Sequence, residues 1–256
     1  MLFHEFRSSR LSGVPRLFHV VYGKPLGPPE PSDASIERNP SGNADARNEA
    51  AARRAFPSHW RNLPVARVSQ VHGTELTILP CAEDGAADST VVPAANDREA
   101  DGLVAEGPGA LLRIVVADCM PVFLVDPARR RSALVHAGWR GLAAGIIERS
   151  LQALAAGGTV ASDLLVWIGP HIGPDAYEVG PEVIGAFPGR PPVSRPGRGD
   201  RAFLDLYETA RTSLLAAGVP DRSIEERPAC TRSDDRLFSH RAGDTGRNVA
   251  FLGFAA

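Results

Sequence analysis

The sequence predicts an α+β fold: one domain of mixed β-sheets with helices packed outside. Three observations lead there. Apolar runs of strand length recur through the middle of the chain, at ALLRIVVADC (110–119), VFLVD (122–126), SALVHAG (132–138) and LLVWIGP (164–170). Two longer segments, GLAAGIIERSLQALAAGG (141–158) and LDLYETARTSLLAAGV (204–219), carry helical spacing instead. No internal repeat and no linker divides the 256 residues, so residues 1–256 are read as a single domain.

Each element has its own warrant. Residues 23–46 are rich in Pro, Gly, Ser and Asn and read as a long loop. RNEAAARRAF (47–56) is helical in composition, and LPVARVSQVHG (63–73) reads as a strand ending in a glycine turn. Residues 84–100 are small and polar, a loop with a short strand around Thr90–Val92. The 110–119 run is a largely buried strand. The turn PARRR joins 122–126 to 132–138 as an antiparallel pair. In 141–158, Leu142, Ile146, Leu151 and Leu154 share one face, and Gly157-Gly158 supplies a stop. PGRPPVSRPGRGD (188–200) reads as a mobile loop. The 204–219 helix ends at Gly218. The tail 230–254 alternates polar loop with two short apolar strands.

Composition narrows the partners. Hydrophobic residues make up 43% and charged residues 23%, enough apolar material for a substantial core. A net charge of −2 and a pI near 6.4 argue against nucleic acid or an anionic membrane as the partner, since both call for a basic excess. Three cysteines, Cys81, Cys119 and Cys230, are poor disulfide material and point to a reducing compartment. The N-terminus has no apolar signal-like core and no run is long enough to span a bilayer, so the expected location is cytoplasmic.

The reactive side chains gather at strand ends. Cys119 ends one strand beside Asp118. His136 ends another, in VHAGWRG (135–141), and His72 ends a third, just before Gly73. Two imidazoles and a thiolate suit zinc, with a fourth position left for water or substrate. The same Cys119 and His136 also suit a nucleophile pair, in which the imidazole makes the thiol a thiolate. Two His and one Cys further resemble a blue-copper set, with Met120 as the nearest axial candidate. Against that, seven histidines with no H-x-H pair are too few for a multicopper oxidase. Arg140, Arg241 and Arg247 lie in glycine-containing turns. Converging there, their planar forks would suit phosphate, and a helix starting at Gly141 would add backbone N–H donors.

Taken together and in order, QVHGTEL (70–76), ADGLVAEGPGALLRIVVADCMPVFLVD (100–126), ALVHAGWRGLAAGII (133–147), IGPHIGPDAYEVGPEV (168–183), LDLYETAR (204–211) and CTRSDDRLFSHRAGDTGR (230–247) resemble the YfiH-like family. That family is also called the laccase-domain or multicopper polyphenol oxidase family, and in some members peptidoglycan editing factor. The resemblance covers about residues 60–254. It implies a four-layer α/β/β/α arrangement and zinc-dependent phosphorolysis of purine nucleosides, with adenosine, inosine and methylthioadenosine as substrates and adenosine deamination beside it. By the same resemblance His72, Cys119 and His136 bind zinc. Cys119, His136 and Asp118 are the expected catalytic residues. Arg140, Arg241, Arg247, Gln70 and His171 are the expected substrate- or phosphate-binding residues.

Two departures stand out. His171 in IGPH replaces the family's usual cysteine, and LFHVVYGKPLG (17–27) poorly matches the family's N-terminal segment. Three other readings remain open at this level: a Cys119/His136 thiol hydrolase acting on peptidoglycan precursors, a copper polyphenol oxidase, and a non-catalytic zinc-binding module with four protein ligands.

Overall fold

The computed structural model describes residues 3–26, 52–81, 98–187, 192–226 and 228–256. In chain order its strands are β1 Phe3–Phe6, β2 Leu17–Pro25, β3 Val65–Ala66, β4 Leu76–Leu79, β5 Gly102–Ala105, β6 Leu111–Val116, β7 Met120–Asp126, β8 Arg131–Ala137, β9 Leu165–Ile168, β10 Glu178–Val179, β11 Ser194–Pro196, β12 Ala202–Leu204 and β13 Asn248–Phe254. The helices are α1 Trp139–Ala143, α2 Ile146–Ala156, α3 Pro181–Ile184 and α4 Leu206–Ala216. One five-stranded sheet runs β1-β2-β13-β6-β3 and a second runs β4-β5-β8-β7-β9. A small third sheet has the order β10-β12-β11. Both large sheets mix parallel and antiparallel pairs: β3 with β6 and β4 with β5 are parallel, and the other pairs are antiparallel.

The α+β expectation holds, and burial explains how the parts stack. Leu103, Phe123, Leu134 and Trp167 from one sheet meet Leu112, Ile114, Ala250 and Leu252 from the other, so the two large sheets pack face to face. On the far side of the second sheet, Val122, Leu124 and Val135 pack against Ile146, Leu151 and Leu154 of α2 and Ala210 and Leu214 of α4. The outer face of the first sheet, with Phe18, Val20 and Phe251, is covered by Phe56 and Trp60. The expected 47–56 helix falls only partly on described residues, of which 52–54 are helical. The 27–46 part of the expected loop and the Thr90–Val92 strand lie outside the described residues.

The hairpin β7–β8 is the one foreseen, and its register pairs Pro121 with His136. Other segments differ from expectation for identifiable reasons. The 141–158 helix is two helices, because Gly145 adopts φ +86°, a left-handed conformation that stops α1 and caps α2. The 63–73 strand pairs with β6 only at β3, and Ser69 bridges Glu99 instead. Further along β6 the side-chain amide of Gln70 donates to Val115 O and accepts from Val115 N at 2.8 Å each, so a side chain stands in for a strand there. The 188–200 loop carries β11, paired with β12. The tail holds one strand, β13. Residues 230–247 are turns tied down by side-chain hydrogen bonds. Residues 17–25, which show no alternation to signal a strand, form β2 beside β13.

Candidate metal centre

Two turns and the end of β8, at one end of the paired sheets, deliver His72, Cys119 and His136 to a common point. Cys119 follows β6 in the tight turn to β7, and Asp118 before it takes φ +82°, a conformation Asp tolerates better than most residues. His72, in the turn before β4, also has a positive φ, +62°. His136 is the penultimate residue of β8. The ligand atoms of the three side chains all lie within 4.8 Å of one another, and the two imidazole rings meet edge to face with centroids 4.8 Å apart. That spacing is short enough for a single ion to reach all three side chains. His136 is buried, Cys119 half-buried and His72 exposed, so the cluster faces solvent on the His72 side.

The glycine bracketing of VHAGWRG now has a steric cause. A Cβ on Gly138 would sit 2.8 Å from Cys119 Sγ and 3.5 Å from the His72 ring. Its φ of −84° is open to any residue, so close approach, not backbone freedom, requires glycine there.

A residue outside the sequence-derived set organises this arrangement. Asp101, fully buried just before β5, accepts backbone N–H groups from Val71 (3.2 Å), His72 (2.9 Å) and Gly73 (2.6 Å). Its Oδ1 is also 2.8 Å from His136 Nδ1. Burial works against its charge, but these bonds from His136, Gly73 and His72 hold its pKa below the ordinary carboxylate value. Burial likewise raises the Cys119 thiol, yet His136 and His72 overcome it and bring the pKa down to about 7. Burial lowers that of His136, and Asp101 with Cys119 reverse this to about 9. The donor set therefore favours a thiolate, with one imidazole held through Nδ1 and its Nε2 left for a metal. That is the chemistry of a zinc ligand set with a carboxylate behind the histidine.

A second carboxylate organises the opposite flank. Asp118 Oδ1 accepts from Thr231 Oγ1 at 2.6 Å, and Oδ2 accepts from the Arg241 backbone N at 2.7 Å. Both oxygens are thus engaged in holding loops. The Arg241 guanidinium donates to Glu178 O at 3.1 Å and lies over the Tyr177 ring at 5.1 Å. Burial, then the negative charge of Cys119, raises the Tyr177 pKa, so its phenol keeps its proton.

The other sequence-derived residues are dispersed. Arg140 is exposed and stacks on Trp139 at 4.3 Å. Its helix α1 begins at Trp139 rather than Gly141 and has five residues, so it brings little dipole to an anion. The Arg247 guanidinium bonds back to the carbonyls of Thr245 and Gly246. Gln70 spends its amide on Val115. His171 is buried, with Nδ1 2.9 Å from Gly169 O and its ring parallel to Tyr207. The signals for the two residues beyond sequence reading are slight: an Asp-Gly step opening an apolar strand for Asp101, and one aromatic in a Gly/Pro-rich run for Tyr177. Among the described residues no helix is long and apolar enough to cross a membrane.

Known proteins resemble this chain over most of its length. The profile of the family described as multi-copper polyphenol oxidoreductase laccase matches residues 35–255. Purine nucleoside phosphorylase YlmD of Geobacillus stearothermophilus is 37% identical over 223 residues, covering 82% of this chain and 80% of the relative. Purine nucleoside phosphorylase YfiH of Escherichia coli is 34% identical over 148 residues, covering 57% and 60%. The crystal structure of YlmD from Geobacillus stearothermophilus superposes with a TM-score of 0.79 at 29% identity, covering 95% of this chain and 93% of that one. With the profile spanning most of its length and a relative of this identity aligned over four-fifths of it, the chain belongs to the laccase-like YfiH family.

Proposed function

We propose that this chain is a zinc-dependent purine nucleoside phosphorylase. It would convert adenosine, inosine or methylthioadenosine, with phosphate, into the free base and the pentose 1-phosphate, and would deaminate adenosine as a side activity. The observation that carries the reading is the His72/Cys119/His136 cluster: three protein donors of the zinc type, open on the exposed His72 side. The relatives named as purine nucleoside phosphorylases supply the substrate class.

The chain's own groups divide the work. His72, Cys119 and His136 would hold the metal, with Asp101 keeping the Nδ1 proton of His136 and so directing Nε2 inward. Bound there, zinc would supply Lewis acidity and a fourth position for an oxygen ligand. Arg241 is the best placed of the three arginines for phosphate, since Asp118 fixes its backbone beside the Cys119 turn. Arg140 would address the same anion from the α1 side. As a phosphate oxygen attacks C1′ and the glycosidic bond opens, the departing purine needs a proton or hydrogen-bond donor. Tyr177, protonated and in contact with Arg241, is suited to donate.

Two features favour zinc over the copper of the family's laccase description. Among the described residues one group of three ligands occurs, and Met120 is wholly buried in the helix-side core. The three ligands found among the described residues are also one fewer than the four of a structural zinc module. Metal analysis of the purified protein with a nucleoside-plus-phosphate assay tests the proposal. One zinc per chain and phosphate-dependent pentose 1-phosphate formation are expected. Base release with no dependence on phosphate would remove phosphorolysis.

One observation favours a second reading. The depressed Cys119 thiol beside the raised His136 imidazole is also the pairing of a thiol hydrolase. Alkylation separates the two. A metal-bound thiolate reacts slowly until the metal is chelated, whereas equal rates in both states, or a trapped substrate–Cys119 adduct, would identify a nucleophile.

A further inference from the structure

Asp101 bonds to two of the three candidate ligand segments at once. Its carboxylate gathers three successive backbone N–H groups, those of Val71, His72 and Gly73, and the imidazole Nδ1 of His136. The first three come from the turn before β4 and the fourth from β8. The two segments are more than sixty residues apart in sequence. Three consecutive N–H groups aimed at one point form a concave anion site, and here the chain fills it with its own carboxylate. The same contact supports His72 in its left-handed conformation, at φ +62°. The backbone reinforces the link: His136 N donates to Asp101 O at 2.7 Å, and Asp101 N donates to Glu75 O at 2.9 Å.

We propose that Asp101 is the positioning residue of the metal centre: it sets the place of His72 and the tautomer of His136 together, and thereby the affinity of the site for its metal. This rests on the zinc reading above. Without the carboxylate, the 71–73 turn loses the acceptor that shapes it. His136 is then free to turn its ring or to carry its proton on Nε2, the atom the metal needs. Both losses fall on affinity, because the ligands must be ordered before they can bind.

Asp126 supplies an internal control. It is fully buried, it lies at the far end of the β7–β8 hairpin, and it also satisfies a turn, accepting from Ala128 N, Arg129 N and the Arg129 guanidinium. Asp101→Asn and Asp126→Asn both remove a buried charge that serves several donors, but only the first touches the ligand segments. In competition titrations of zinc against a chromophoric chelator, Asp101→Asn is expected to weaken zinc binding about 10- to 100-fold, with Asp126→Asn unchanged. In the cobalt-substituted protein, Asp101→Asn should alter the tetrahedral d–d bands, and Asp126→Asn should leave them as in the wild type.

Equal affinities for Asp101→Asn and wild type would overturn the proposal. So would equal losses in the two variants, which would reduce Asp101 to a general stabiliser. Should Asp101→Asn fail to fold, nitrogen-15 NMR of the zinc-loaded wild type decides the matter. The proposal requires His136 to carry its proton on Nδ1 and metal on Nε2, and the reverse assignment would sink it. A wild type that binds no stoichiometric zinc overturns the zinc reading itself, an outcome separate from either failure of Asp101.

Discussion

Two buried histidines in this molecule behave in opposite ways. His136, at the end of β8, is 4% exposed, and His19, in the middle of β2, is 2% exposed. Burial alone favours the neutral imidazole at both positions. At His136, Asp101 and Cys119 outweigh it and raise the pKa to about 9. At His19 burial wins, and the pKa falls to about 4. His19 contacts a backbone carbonyl, Ser8 O at 3.1 Å, and the edge of Trp167, and Arg7 nearby disfavours a second positive charge. Depth in the fold therefore does not decide the charge of a buried histidine. The bonded partners do: His136 has the Asp101 carboxylate on its ring, whereas His19 has a carbonyl, with the opposed charges of Arg7 and Glu225 nearby.

The widest gap between the two is expected in activity. His136→Ala removes a candidate ligand and leaves Asp101 without its imidazole partner. It should abolish stoichiometric zinc and lower kcat/KM by about a thousandfold or more, equivalent to about 4 kcal/mol or more of transition-state stabilisation. His19→Gln keeps a donor for Ser8 O and should retain wild-type zinc content and turnover. Metal analysis and phosphorolysis assays on the two variants check this. Full activity in metal-free His136→Ala would dissolve the distinction.

The second expectation concerns acid stability and turns on sign. The folded pKa of His19, about 4, lies below its unfolded value of 6.5, so the unfolded chain binds more protons between those limits. Stability therefore falls as pH drops from about 6.5 to 4, by up to about 3 kcal/mol, and the loss levels off below that. His19→Gln should flatten this part of the curve in urea titrations. An unchanged slope would mean that His19 charges without cost in the folded state.

The sequence carries the candidate metal ligands better than their supports, for a physical reason. His72, Cys119 and His136 each stand where a strand gives way to a turn, and glycine lies within two residues of His72 and His136, so local spacing reveals them. The β7–β8 hairpin and the α4 start at Asp205, whose side chain accepts from Glu208 N, are local in the same sense. By contrast, β2 is buried on both faces through Val20, Val21 and Tyr22, and so lacks the alternation that marks a half-exposed strand. Asp101 acts only because the 71–73 turn and the end of β8 meet at it. Gln70 looks like a ligand-side residue in QVHG, yet its amide completes a sheet edge.

The arginines give the smallest expected effects and the finest test of how partners assign function. Arg140, Arg241 and Arg247 are alike in sequence, each in a glycine-bearing turn, but the fold treats them differently. Arg241 is anchored through its backbone to Asp118, beside Cys119, and through its guanidinium to Glu178 O. Arg140 stacks on Trp139 and keeps its guanidinium exposed. Arg247 turns back on its own loop. If anchoring next to the metal turn is what makes an arginine a phosphate ligand, the order of loss follows. Arg241→Ala should raise the KM for phosphate about 10- to 100-fold, the worth of one charged hydrogen bond at about 1.5–3 kcal/mol. Arg140→Ala should raise it several-fold, and Arg247→Ala should leave it unchanged, with zinc content intact in all three. Steady-state kinetics at varied phosphate and fixed nucleoside read the order directly. An equal loss in Arg247→Ala and Arg241→Ala would show that net positive charge, rather than the Asp118 anchor, holds the anion.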